Sequence, residues 1–358
     1  MPDNLLTIPE VALENIHYAF FTNEHGQSDA GYRIDGQKTR NVNPRSAQQQ
    51  EGEGFDPADS VLANIQRCFQ ELGVQEGDGT HKFFMDSYYA NMGKDQPLIL
   101  SCESLAELDN LKQHASHYNL YDDKENPRCL RLGAAMQTAI ARSDISMLKA
   151  DALIFKGIPD EKIAVLGASG DANPIMMFDD EHKIACYISG AHTAIKQGVL
   201  EQSFDRMLAL GANPHTIRLV IGPGLGPHSY EFGENAPDYF QVPRALTPVV
   251  DTKGANKYLI DIHPLVIGKL EGRLSQENIF NIGIDTMGFD LYDEVVEGEA
   301  IKFKRKTTIN FSELNKQGLL HFSARRKIME KNNDLTEPNS AAFNTVGRQA
   351  AGFTVKGS

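Results

Sequence analysis

The chain has 358 residues, about twice the usual domain length, so it forms two ordinary domains or one large one and is no disulfide-stapled miniprotein. Hydrophobic residues make up 41% and charged residues 23%, the composition of a globular chain that can bury a core. With 35 Lys and Arg against 48 Asp and Glu, the formal charge of -13 excludes a general field for nucleic acid or anionic lipid, though not a local basic pocket.

The four cysteines, Cys68, Cys102, Cys129 and Cys186, are spread singly, without a CxxC or the Cys/His spacing of a structural zinc site. A reducing compartment fits this pattern, so a cytoplasmic location is expected; non-Sec export to a host would leave no legible mark. The first twenty residues lack the basic and apolar regions of a Sec signal, and no stretch approaches the roughly 18 apolar residues of a membrane span.

In chain order, NIHYAFFT (15–22) reads as a strand from its aromatic and β-branched content, and the polar residues 35–56 read as a loop. From Asp59, a helical face carries Val61, Ile65, Cys68, Phe69 and Leu72, ending at Gly73. Residues 75–128 hold an aromatic strand KFFMDSYY, an apolar PLILS and a polar helix from Ser104, and are expected to be an insertion or cap. The centre is more regular: ALIFK, KIAVLGAS, PIMMF and KIACYIS are short apolar runs between turns, the pattern of a sheet. One helix is predicted over His192–Ala209, then a strand IRLVI, giving a crossover unit. A helix HPLVIGKLEGRL and a strand IFNIGI follow, and the mixed charges of 288–313 suggest a second insertion.

GPGLGP (222–227) follows a strand directly. Gly222, Gly224 and Gly226 would let a ligand approach the backbone and the prolines would fix the turn, so this is either a structural turn or a loop presenting N–H groups to an oxygen-rich ligand. Arg325 and Arg326 in HFSARR, with Arg348 in VGRQAAG, could hold a phosphate or carboxylate; adjacent strand residues point to opposite faces, so at most one of the pair faces a pocket. The histidines show no HxH or HExxH, no serine stands in a GxSxG elbow, and Cys186 sits in an apolar run where a buried structural thiol is expected. No cluster of copper ligands is legible, and no metal or cofactor is implied by spacing.

The succession GDANPIMMFDDEHKIACYISGAHTAIKQGVLEQ, GANPHTIRLVIGPGLGPHSYEFG, HFSARRK and TVGR resembles the polyphenol oxidase or laccase-domain family. IGPGLGPHSYEFG is similar to the family's IGPxIGPxxYEVG, with Tyr230 at the matching tyrosine, and Asp171, Pro174 and Gly198 match its ADCLP and the helix after HAGWRG. The resemblance implies a single large α+β unit spanning 1–358, layered helix, sheet, sheet, helix, whose active members resemble zinc-dependent purine nucleoside phosphorylases with adenosine deaminase side activity. It also implies a Cys and two His as zinc ligands. Here the cysteine falls on Ala172, one histidine on Ser189, and the other on Ala139 or near Tyr88 and Tyr89; Asn23 stands where the family has Arg.

The resemblance therefore implies a catalytically degenerate relative that binds a nucleoside-like or phosphate-bearing ligand, or a protein partner. The alternative is an enzyme with a relocated, metal-free site built from Asp171, His192 and His228.

Overall fold

The computed structural model describes residues 5–21, 58–87, 96–116, 134–297, 300–310, 323, 329 and 349–357. Its strands and helices run β1 (Leu5–Leu6), β2 (Ile16–Phe21), α1 (Ala58–Glu71), β3 (His81–Ser87), β4 (Ile99–Cys102), α2 (Leu105–Ser116), α3 (Ala134–Ala141), β5 (Ile145–Ala150) and β6 (Ala152–Lys156). Next come β7 (Lys162–Ser169), β8 (Asn173–Asp179), β9 (Ile184–Gly190), α4 (His192–Lys196), α5 (Val199–Ala209), β10 (Arg218–Ile221), β11 (Glu231–Phe232) and α6 (Ala236–Phe240). The remainder is β12 (Leu246–Val250), β13 (Asn256–Ile260), α7 (Ile262–Lys269), β14 (Ile279–Asn281), β15 (Tyr292–Glu297), β16 (Ala300–Arg305) and β17 (Gln349–Lys356).

Two six-stranded sheets carry the fold, in the orders β1-β2-β17-β7-β3-β5 and β14-β10-β8-β9-β6-β4. The period-2 alternation of side chains assigns their faces. In β8, Met176 and Phe178 join Tyr18, Phe83, Val165 and Phe353 of the first sheet in a core between the sheets. Ile175 and Met177 point the other way, onto Ile195, Phe204 and Leu265 of α4, α5 and α7. On the outer face of the first sheet, Phe84, Met147 and Leu166 pack against Val61, Ile65 and Phe69 of α1 and Met136 of α3. The expected α+β order of helix, sheet, sheet, helix is what these three cores produce, each buried Phe or Leu contributing roughly 1.5–3 kcal/mol. No helix among the described residues is long and apolar enough to cross a membrane.

Three differences from the sequence reading have physical causes. β3 lies inside the first sheet between β7 and β5, with Phe83, Phe84 and Met85 fully buried, so this part of 75–128 is framework and not a cap. The helix predicted over His192–Ala209 is two: Gly198, at φ 82°, takes a left-handed conformation that ends α4 and starts α5 in a new direction. A third sheet, β11-β13-β12-β16-β15, takes 292–297 and 300–305 of the stretch 288–313 as the paired strands β15 and β16. The polar stretch 35–56 lies outside the described residues.

Candidate functional site

β8 runs antiparallel to β9 and β10, and β14 runs parallel to β10. The start of β8 and the ends of β9, β10 and β14 therefore share one edge of the second sheet. The connection from β7 to β8 lies there, which brings Ser169, Asp171, Ala172 and Asn173 beside Ser189 and the loop 222–227; in register, Pro174 faces Ser189 and Asn173 faces Gly190.

The loop's N–H groups are used within the protein. Gly222 donates to the Pro174 carbonyl at 2.8 Å, Gly224 to Ile284 at 3.2 Å and Leu225 to Asp171 at 3.0 Å. Gly226 donates to Ser229 Oγ at 3.0 Å, and Pro223 and Pro227 have no N–H to give. The sequence leaves open a turn or an N–H cradle; the hydrogen bonds make it a turn. The glycines serve close packing. A Cβ at Gly222 would lie 2.1 Å from the Phe20 ring, at Gly224 2.2 Å from the Asn173 side chain, and at Gly226 2.7 Å from Asp285. A parallel bridge between Gly224 and Asp285 extends the β10–β14 pairing into this loop.

Hydroxyl–carboxylate pairs support the edge. Ser229 Oγ donates to Asp285 Oδ2 at 2.6 Å, and Ser323 Oγ donates to Asp171 Oδ1 at 2.6 Å. Burial pushes the Asp285 carboxyl upward against the hydrogen bonds from Ser229 and the Met287 and Gly226 amides. Asp151, between β5 and β6, accepts the Leu98 N–H on Oδ2 at 2.9 Å, and its carbonyl accepts the Ser189 N–H at 2.9 Å. Burial raises its carboxyl to about 7, the Leu98 N–H opposing. Asn173 donates to the Gly222 carbonyl at 3.0 Å, while its Oδ1 and the Ser169 hydroxyl are buried with no hydrogen-bond partner among the described residues.

Asp171 and Ser189 reach this edge; the two histidines stand in other settings. His192, exposed at the start of α4, has Nδ1 3.0 Å from the Tyr239 hydroxyl within a ring cluster that includes Phe232. Burial lifts the Tyr239 phenol to about 12. His228 faces the hairpin, its Nε2 3.3 Å from Glu294 and its Nδ1 3.9 Å from Asp290. Tyr230 is buried in the core on the helix side, and its carbonyl accepts the Ile260 N–H. Ala139 lies on α3 in the apolar core against α1. Arg325, Arg326, Arg348, Tyr88, Tyr89 and Asn23 lie outside the described residues.

The sequence reading missed Asp151, Asn173, Ser229, Asp285 and Ser323. One signal was present: Asp151 stands directly before the apolar run ALIF (152–155), two residues after Lys149. The pairing of Ser229 with Asp285, 56 residues apart, left no local trace. Among the described residues no group of three His, Cys, Asp or Glu side chains is placed to hold a metal ion. The donors at the edge do not fit the zinc that the resemblance implies: Ala172 offers no donor atom, and Ser189 a neutral hydroxyl where an imidazole is needed.

Residues 114–292 match a family model described as multi-copper polyphenol oxidoreductase laccase. Among solved structures the chain is similar to the hypothetical protein YfiH of Bacillus licheniformis, at 14% identity and a TM-score of 0.54 over 95% of this chain and 92% of that one. The Neisseria meningitidis protein NMB0706 is similar at 15% identity and a TM-score of 0.55 over 99% of this chain and 100% of that one. YlmD of Geobacillus stearothermophilus is similar at 13% and 0.57 over 99% and 97%. At these identities the likeness is one of fold. No curated protein matches the chain.

Proposed function

Because the chain belongs to the multi-copper polyphenol oxidoreductase laccase family, we propose that it is a catalytically degenerate member, which keeps the scaffold and binds a nucleoside-like or phosphate-bearing small molecule, or a protein partner, without metal chemistry. The observation that carries this reading is the presence of Ala172 and Ser189 at the sheet edge, where the resemblance implies a thiolate and an imidazole. Contacts to a ligand come from side chains, since the loop amides are engaged, and Ser169 Oγ and Asn173 Oδ1 are the buried atoms with hydrogen-bonding capacity to spare.

Isothermal titration of the full chain with adenosine, inosine and phosphate, together with metal analysis, tests the reading. Binding of one of these without stoichiometric metal or turnover is the expected result. Stoichiometric zinc with phosphorolysis of inosine would refute it.

A further inference from the structure

The hairpin β15–β16 carries an exposed apolar pair. Val296 is 72% exposed and Ile301 61%, and the two face each other in register across the hairpin. They share a face with Tyr292 and Arg305 at the hairpin base, where both side chains are buried, and with Glu294 and Phe303 in between, so this face runs from the core out to an apolar pair in solvent. β15 is the last strand of its sheet, and β16 pairs with β12 only at Val250–Lys304; the proline at position 248 of β12 has no N–H with which to continue that ladder. The described hairpin thus ends in an edge strand that, among the described residues, has no strand on its outer side and whose far half carries exposed β-branched side chains.

We propose that the edge of β15 takes up an extended segment of a partner protein by β-augmentation, one with two adjacent β-branched residues flanked by lysines or arginines. The sequence of the strand sets the complement. The sequence of β15 reads Asp293, Glu294, Val295, Val296 and Glu297. An antiparallel strand that places cations opposite the acids and apolar side chains opposite the valines reads Lys-Val-Val-Lys-Lys. A second copy is the wrong occupant. Antiparallel pairing of β15 with itself sets acids against acids, and like charges directly opposite are destabilising. Asp293 and Glu294 already touch Lys306 at 3.1 Å and His228 at 3.3 Å, yet remain 58% and 49% exposed and so can still face an added strand. The strand contains neither Ser169 nor Asn173, the side chains offered to the proposed ligand, so the nucleoside titration and the test below can each fail without the other.

The test is fluorescence anisotropy of the full chain with a labelled, end-blocked peptide containing Lys-Val-Val-Lys-Lys, against a charge-reversed control containing Glu-Val-Val-Glu-Glu. Saturable binding of the first peptide is expected, weakened at least tenfold between low and high salt, with none of the control. Val296→Asp and Ile301→Asp, both at exposed positions, should each weaken binding at least tenfold with unchanged melting temperatures. Absence of saturable binding, equal binding of both peptides, or unchanged affinity in both variants would overturn the proposal. So would concentration-dependent dimerisation in sedimentation velocity that Val296→Asp abolishes, because the edge would then belong to a second copy.

Discussion

The Gly-Pro loop at the sheet edge and the β15–β16 hairpin dispose of their backbone and side chains in opposite ways. In the loop, every available N–H from Gly222 to Gly226 is donated within the protein, and the three glycines are packed against Phe20, Asn173 and Asp285. In the hairpin, the strands pair along their length but the buried side-chain contacts lie at the base. There Arg305 Nε meets Glu231 at 2.9 Å and the Tyr292 hydroxyl donates to the same carboxylate, while Val296 and Ile301 at the far half stand in water. A glycine-rich loop after a strand is thus no anion site until its N–H groups have been followed to their acceptors. A charged, unremarkable stretch can meanwhile carry the exposed surface.

The largest expected effect breaks the ordered half of the hairpin. Arg305 and Glu231 are both buried, with side chains 7% and 5% exposed, so Arg305→Ala leaves a carboxylate without its guanidinium and should cost about 3–5 kcal/mol in urea unfolding. Replacing both partners by methionine should restore much of that loss, since two apolar groups need no compensation. A full loss in the double variant would mean that the pair holds the hairpin by geometry rather than by charge. The next effect breaks the loop. Gly222→Ala places a methyl 2.1 Å from Phe20 and 2.9 Å from Pro174, an overpacking expected to cost about 1–3 kcal/mol. A neutral result would show that the loop has slack, and with it room for a ligand.

The two regions also differ in how far sequence reveals them. The strands β7 to β10 were legible because both faces are buried, so their apolar runs are nearly continuous between turns. β17 was not: QAAGFTVK is short of large apolar residues, and it enters the first sheet between β2 and β7, far from both in sequence. β15 and β16 escaped because one of their faces is solvated and charged, and mixed charge reads as a loop. At the site, Asp171 and Ser189 were found through flanking residues that resemble a family. Ser323 and Asp285 were not, because their meaning lies in partners 152 and 56 residues away. The close packing of the glycines was likewise invisible, since a sequence shows that a side chain is absent but not what occupies its place.

Asp151 gives the most specific effect, and it asks whether the sheet edge is as settled as the loop beside it. Its carboxyl is raised from 3.8 to about 7 by burial, with the Leu98 N–H opposing. Between pH 4 and 7 the unfolded chain has therefore lost a proton that the folded chain still holds. Over that window stability falls as pH rises, and above it this contribution is flat. Asp151→Asn keeps an oxygen for the Leu98 N–H and has no charge to bury. The variant should match the native chain near pH 4 and exceed it by up to about 4 kcal/mol at pH 8, the difference opening between those values. Urea unfolding at pH 4.5, 6 and 8 reads that slope directly. Parallel curves for the two proteins would place Asp151 in contact with water or a cation, and the sheet edge would then be open where the loop is closed.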